Sequence, residues 1–263
     1  MRPCVLSLAF LLTAGAAGAP CQTARNVAPT GPGEDPVRAG DEAHVGLLPA
    51  RALEAYLRVL AAEPDRYDAL WRAAREAVNL GMLATDGARR KGRYSEAEEY
   101  ARRARAAAPA GVEGAEWLAI ALGRQALEQG PRGRVRYAVQ VRDAALAALA
   151  LDSANAGAHH VLGEWHAEVR RLSRVERWVA RELLGGGILG EASWEEAEAH
   201  LSRAVVLDPS GLIHHLNLAR VYLDTGRLDE ARECLRQVLE RPAAEPVDPL
   251  HKQEAQRLLQ ALR

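Results

Sequence analysis

From Pro49 onward, apolar residues recur at three- and four-residue spacing, interrupted at intervals by Pro, Gly and Asp-Pro steps. That period predicts amphipathic helices, and the interruptions predict turns between them. The clearest unit is a helix over residues 212–223, a turn at Thr225-Gly226 and a second helix over 228–240, closing before Pro242. Second helices with the same Glu-Ala entry recur over 92–109 and 192–209. A repeated helix–turn–helix unit cannot bury its apolar face alone. The fold class expected is therefore all-α, a stacked solenoid.

The spacing predicts four helical pairs: 67–80 with 94–107, 113–129 with 135–150, 156–170 with 193–207, and 212–223 with 228–240. A helix over 50–62 precedes them as an unpaired second helix or N-terminal cap. A last helix opens at Asp248-Pro249, with Asp as N-cap and Pro at the first helical position. Lys252, Glu254 and Arg257 give that helix the polar face of a terminal cap. The pattern resembles the tetratricopeptide repeat, whose period is about 34 residues. Its packing positions are filled by Leu162 and Gly163, by Leu218 and Ala219, and by Ala97, Ala101 and Ala104. Ala197, Leu201 and Ala204 repeat the alanine spacing, as do Ala231 and Leu235. Repeat-closing positions Pro64, Pro109, Ser153, Pro209 and Ala243 lie 45, 44, 56 and 34 residues apart. Only the last repeat has standard length; the surplus in the others is expected between paired helices.

The third repeat narrows the resemblance. Ala158-His159-His160-Val161-Leu162-Gly163-Glu164-Trp165 leads through Glu168-Val169 to Leu172-Ser173 and then Leu183-Leu184. Together with Glu230-Ala231-Arg232 and the closing Leu239-Glu240-Arg241-Pro242, this is similar to the regulator of microtubule dynamics family. The resemblance covers about residues 50–262, and with the N-terminus described below it suits an exported bacterial relative. It implies a tetratricopeptide-like helical domain. Animal members are linked to microtubules, and one uses this domain to bind and transfer phospholipids. An exported chain would not meet tubulin, so microtubule association is not expected here.

Arg2, the apolar run Cys4–Leu12 and the small residues Ala14–Ala19 read as an export signal over 1–19, cleaved between 16 and 20. The run is too short to span a bilayer. Secreted or periplasmic localisation is expected, and acylation at Cys21 is the less favoured alternative. Pro29, Gly31, Pro32, Gly33, Pro36 and Gly40 then read as a disordered linker over 20–48, ahead of the repeat domain over 49–263. With 48% hydrophobic residues the chain can bury a core. A net charge of −1 predicts no bulk attraction to nucleic acid or an anionic surface.

In such solenoids the first helix of each pair lines the concave face. The helical period places Trp71, Arg75 and Asn79 there, then Glu116, Ile120 and Arg124, then His160, Glu164 and Glu168, then Leu216, Arg220 and Asp224. Arg75, Arg124 and Arg220 are the candidate anchors for a peptide or a lipid headgroup. Val175, Trp178, Val179 and Leu183 share one face of an insert helix that suits a lid over an apolar groove. His159 and His166 are two helical turns apart, too far for one ion unless another element intervenes. No metal site is expected from the sequence. Gly185-Gly186-Gly187-Ile188-Leu189-Gly190 lacks the Lys-Ser/Thr of a phosphate loop and reads as a flexible turn. No nucleophile–His–Asp set has sequence support, and Ser153, Ser173 and Ser193 fall at repeat ends or helix caps. The expectation is a non-catalytic, cofactor-free binding protein. Its leading partner is a protein segment, and its alternative is a phospholipid or other apolar ligand.

Overall fold

The computed structural model describes residues 35–173, 178 and 187–262. Residues 1–19, where an export signal is expected, residues 20–34 of the expected linker, and Val175, Val179 and Leu183 lie outside them. Among the described residues every regular element is a helix. In order these are α1 (Arg38–Val45), α2 (Pro49–Ala62), α3 (Tyr67–Leu83), α4 (Gly87–Ala107), α5 (Val112–Leu127) and α6 (Pro131–Leu151). They continue as α7 (Ala156–Arg171), the single turn α8 (Gly187–Gly190), α9 (Trp194–Leu207), α10 (Leu212–Asp224), α11 (Leu228–Glu240) and α12 (Asp248–Ala261). Hairpins α3/α4, α5/α6, α7/α9 and α10/α11 stack in two layers, with α3, α5, α7, α10 and α12 meeting successively along one of them.

The expected packing positions hold the layers together. Ala97, Ala101, Ala104, Ala197, Leu201, Ala204, Ala231 and Leu235 are fully buried. Small side chains let paired helices approach closely, and the large ones fill what remains. At Gly163 the approach leaves no room at all. A Cβ there would lie 2.6 Å from Leu201 Cγ and 3.1 Å from the carbonyl oxygen of Ala197.

Several expectations need correction. The linker ends before residue 48, because α1 forms within it and Val37 is buried with Leu53 and Tyr56. Gly40 is there for packing: a Cβ would stand 2.2 Å from Tyr56 Cε1. Asp41 then accepts hydrogen bonds from Tyr56 Oη (2.7 Å) and Arg72 Nε (2.9 Å). It follows that α2 is not unpaired; it is the second helix of a hairpin with α1.

The first two insertions are mostly helix rather than loop. α3 runs on to Leu83, α4 begins at Gly87, and the Asp86 side chain caps α4 by accepting from the Arg89 amide at 2.8 Å. Likewise α5 and α6 are separated only by residues 128–130. Gly187–Gly190, expected as part of a flexible turn, is the helical turn α8. Finally, Asp248 is the first residue of α12 and not its N-cap. Its carboxylate reaches backward, accepting from the amides of Ala244 and Glu245 at 2.8 Å each and so fixing the approach to the helix.

Candidate functional site

The stack curves far enough for its two ends to meet. His44, on α1, places Nδ1 2.8 Å from Glu76 Oε1 on α3 and Nε2 3.6 Å from Glu245 Oε1, just before α12. Glu76 is fully buried, and its second neighbour, the Arg75 guanidinium, lies 2.7 Å away. The carboxylates of Glu245 and Glu76 hold the His44 pKa up at about 9, so the imidazolium persists at neutral pH. Despite its own burial, Glu76 is held below the usual carboxylate range by His44 and Arg75.

Behind this junction the concave face becomes a cavity of about 610 Å³. Much of its wall is apolar, including Trp117, Ile120, Val135, Val161, Val169 and Leu189. Segments far apart in sequence complete it: Asn79 and Met82 from α3, Leu212 and His214 from α10, Val247 just before α12 and His251 on it. The volume lies in the range of small-molecule sites, roughly 300–1,000 Å³.

Seven of the residues expected on the concave face line this cavity: Asn79, Glu116, Ile120, Arg124, His160, Glu164 and Glu168. Glu116 accepts a hydrogen bond from Asn155 Nδ2 (2.9 Å) and sits against Gly157, where a Cβ would lie 1.9 Å from its oxygen. Desolvation raises the Glu116 pKa, and desolvation also raises that of Glu164, whose Oε1 is buried without a hydrogen-bond partner. His160 is engaged: Asn217 Nδ2 donates to its Nε2 (3.4 Å), its Nδ1 donates to His214 Nδ1 (3.1 Å), and His214 Nε2 faces Asp208 at 3.5 Å. Burial pushes the His160 pKa well below the ordinary value, which keeps this relay neutral at His160.

The three candidate arginines differ sharply. Arg75 is committed to Glu76 and to Tyr56 Oη (3.3 Å), and with Arg72 it lies over the Trp71 ring. Trp71 itself packs on the α1–α3 core. Arg220 donates to Asn217 Oδ1 (2.9 Å) and Glu254 Oε1 (3.3 Å). Neither Arg75, Trp71 nor Arg220 belongs to the cavity wall. Leu216 is core, packed with Leu235 and Val238, and Asp224 pairs with Arg171. Arg124 alone lines the cavity and makes no hydrogen bond or ion pair among the described residues, and desolvation draws its pKa down. Trp178 is 61% exposed.

The α12 segment of the wall had no sequence signal, because it depends on the curvature of the whole stack. Trp117 had one: it follows Glu116 on α5 and lies at the edge of the predicted face.

The profile describing regulator of microtubule dynamics proteins 1–3 matches residues 37–263. Regulator of microtubule dynamics protein 3 of Bos taurus is 26% identical over 195 residues, 74% of this chain but 41% of that protein. Regulator of microtubule dynamics protein 1 of the same species is 26% identical over 199 residues, 75% of this chain and 62% of that protein. The chain thus spans only part of the length of both relatives. Among solved structures, a thermophilic TPR protein of Thermus thermophilus superposes with a TM-score of 0.60 at 24% identity, over 84% of this chain and 97% of that one. That likeness establishes the tetratricopeptide-type fold. Since the family profile accounts for nearly all the described helices, from the residue that starts the core to the last helix, the chain belongs to the regulator of microtubule dynamics family.

Proposed function

We propose that the chain is a non-catalytic binding protein whose interior holds an amphiphile, with apolar chain against the cavity wall and anionic end on Arg124. The observation that carries this reading is the unpartnered Arg124 guanidinium facing an otherwise largely apolar cavity. Stripping a cation of water without pairing it costs several kcal/mol, and an anionic ligand would offset that cost. A fatty acid or phospholipid has the required chemistry. Desolvation raises the Glu164 pKa, which disfavours a repulsive charge beside such a headgroup. Export by the N-terminal segment, as its sequence suggests, would mean that the ligand is met outside the cytoplasm.

A protein segment on the concave face is the reading the repeat fold favours by itself. The two readings separate by experiment. Native mass spectrometry of protein purified from cells should show a bound lipid or fatty acid. Arg124→Leu should weaken binding of a fluorescent fatty acid by about tenfold or more, the scale of a lost charge-assisted contact. Arg220→Leu, whose guanidinium is already committed, should change it little. A protein that arrives empty and binds the probe equally well after Arg124→Leu would sink the proposal. Crosslinking of a peptide to the concave face would favour a protein partner instead.

A further inference from the structure

His159 and His166 stand two turns apart on α7, and the fold brings His200 of α9 between them. The His200 ring stacks on His166, with centroids 5.8 Å apart and planes 17° from parallel. On its other side His200 Nδ1 lies 2.9 Å from His159 Nδ1. Glu196, one turn before His200 on α9, places Oε2 4.0 Å from His200 Nε2. One donor atom from each of His166, Glu196 and His200 lies within 4.8 Å of the others.

Hydrogen bonding selects the tautomers. The carbonyl of Ser153 can only accept, so His159 Nε2, 3.2 Å away, must carry the proton and donate. In neutral His159, Nδ1 is then an acceptor, and His200 Nδ1 must donate to it. That leaves the lone pair of His200 on Nε2, the nitrogen facing Glu196. Ser153, His159 and His200 thus form the backbone–histidine–histidine relay that a metal-binding imidazole needs, since the partner of one ring nitrogen fixes the other as ligand. A second observation points the same way: His166 Nδ1 is buried and has no hydrogen-bond partner.

We propose that His166, Glu196 and His200 bind a divalent transition-metal ion of the zinc class, with His159 as the positioning residue behind His200. Two imidazoles and a carboxylate suit zinc or cobalt and leave a fourth position for water. Zinc bonds of about 2.0–2.2 Å require donors closer together than 4.8 Å. Rotation of Glu196, which is exposed on its helix, and small rotations of the two imidazole rings would supply that movement. The ion ties α7 to α9, the two helices separated by the longest insertion in the repeat domain. It is a clamp across the hairpin that covalent connection secures least. The site is independent of the Arg124 cavity: His160 and Glu164 face that cavity, whereas His159 and His166 face α9.

The test is zinc(II) titration of the chelator-treated full chain by calorimetry, with thermal unfolding followed in parallel. One ion per chain is expected, with a zinc-dependent rise in melting temperature. His200→Gln and His166→Gln should each weaken binding by at least about tenfold and remove the rise, and His159→Gln should weaken it by about 10–100-fold through loss of orientation. Glu196→Gln, on the exposed side of α9, covers the case in which a histidine variant fails to fold. His160→Gln serves as the control and should leave zinc binding unchanged. Cobalt(II) should give the intense visible bands of a four- or five-coordinate site, lost in Glu196→Gln. The proposal is overturned if no saturable one-to-one binding occurs, or if binding survives His166→Gln/His200→Gln.

Discussion

Two glycines in helix interiors respond in opposite ways to the same added methyl group. At Gly163 a Cβ would collide with Leu201 Cγ and a backbone carbonyl of α9, neither of which can step aside cheaply. Gly163→Ala should therefore destabilise the protein by about 1–3 kcal/mol, the usual cost of overpacking, despite alanine's better helix propensity. At Gly92, inside α4, nothing lies within 4 Å of the added carbon. Gly92→Ala should stabilise by roughly 0.5–1 kcal/mol. Urea denaturation of both variants measures the contrast, and two shifts of the same sign would contradict it. The packing role of Gly163 was legible in the chain because a Leu-Gly pair stands where tetratricopeptide helices approach. The split among the arginines was not. Arg75, Arg124 and Arg220 occupy similar positions on successive helices, and only the location of Glu76, Tyr56 and Glu254 in space decides which guanidinium remains free.

Among the elements, α7 begins on a residue with two tasks. Asn155 caps the helix by accepting from the Ala158 amide (2.6 Å), and its Nδ2 donates to Glu116 in the cavity wall. Asn155→Ala removes the cap, at about 0.5–2 kcal/mol, and also leaves Glu116 without its donor. Asn155→Asp keeps the cap but sets a second carboxylate against Glu116. Both should be less stable than the parent protein in urea. Only the Asp variant should recover markedly as pH falls, because protonating either carboxyl relieves the repulsion. Ser193→Ala at the start of α9 isolates a plain cap: Ser193 Oγ accepts from the Glu196 amide at 3.1 Å, and its loss should cost about 1 kcal/mol. Helix existence was readable from apolar period and breakers over nearly the whole domain. Helix ends were less so. The polar stretch before Gly92 lacks an apolar stripe and reads as loop, yet α4 extends back to Gly87, where Asp86 caps it and Arg90 pairs with Glu128 at the end of α5 in the next hairpin. Polar helix turns held by capping and ion pairs leave no hydrophobic pattern to read.

For the whole domain, the decisive contact joins α1 to the approach to α12, and its energetics follow from the titration of His44. The folded-state pKa is raised from 6.5 to about 9 by Glu245 and Glu76, against desolvation and the nearby Arg75. A raised pKa means that protonation favours the folded state. Its contribution is complete below about pH 6.5 and disappears as pH climbs through 9. His160, His166, His200 and His215 have lowered pKa values and act in the reverse sense, but their effect is finished once pH exceeds the unfolded histidine value near 6.5. The Cys234 thiol is pushed up to about 11, so its contribution begins to fall only above the unfolded thiol value of about 8.5, at the top of this range. The window between pH 6.5 and 9 therefore belongs chiefly to His44. Stability measured by urea denaturation should fall across that window in the parent protein, and His44→Gln should flatten the fall. The two ends of the domain should separate at the same time. A fluorophore pair placed on exposed positions of α1 and α12 should report lower transfer efficiency at pH 10 than at pH 7, with His44→Gln already low at pH 7. A pH-independent distance would mean that helix stacking alone sets the curvature. In that case Glu245 would be a bystander, and access to the Arg124 cavity would not depend on this junction. A distance that follows His44 would instead make the junction the gate through which a ligand reaches Arg124.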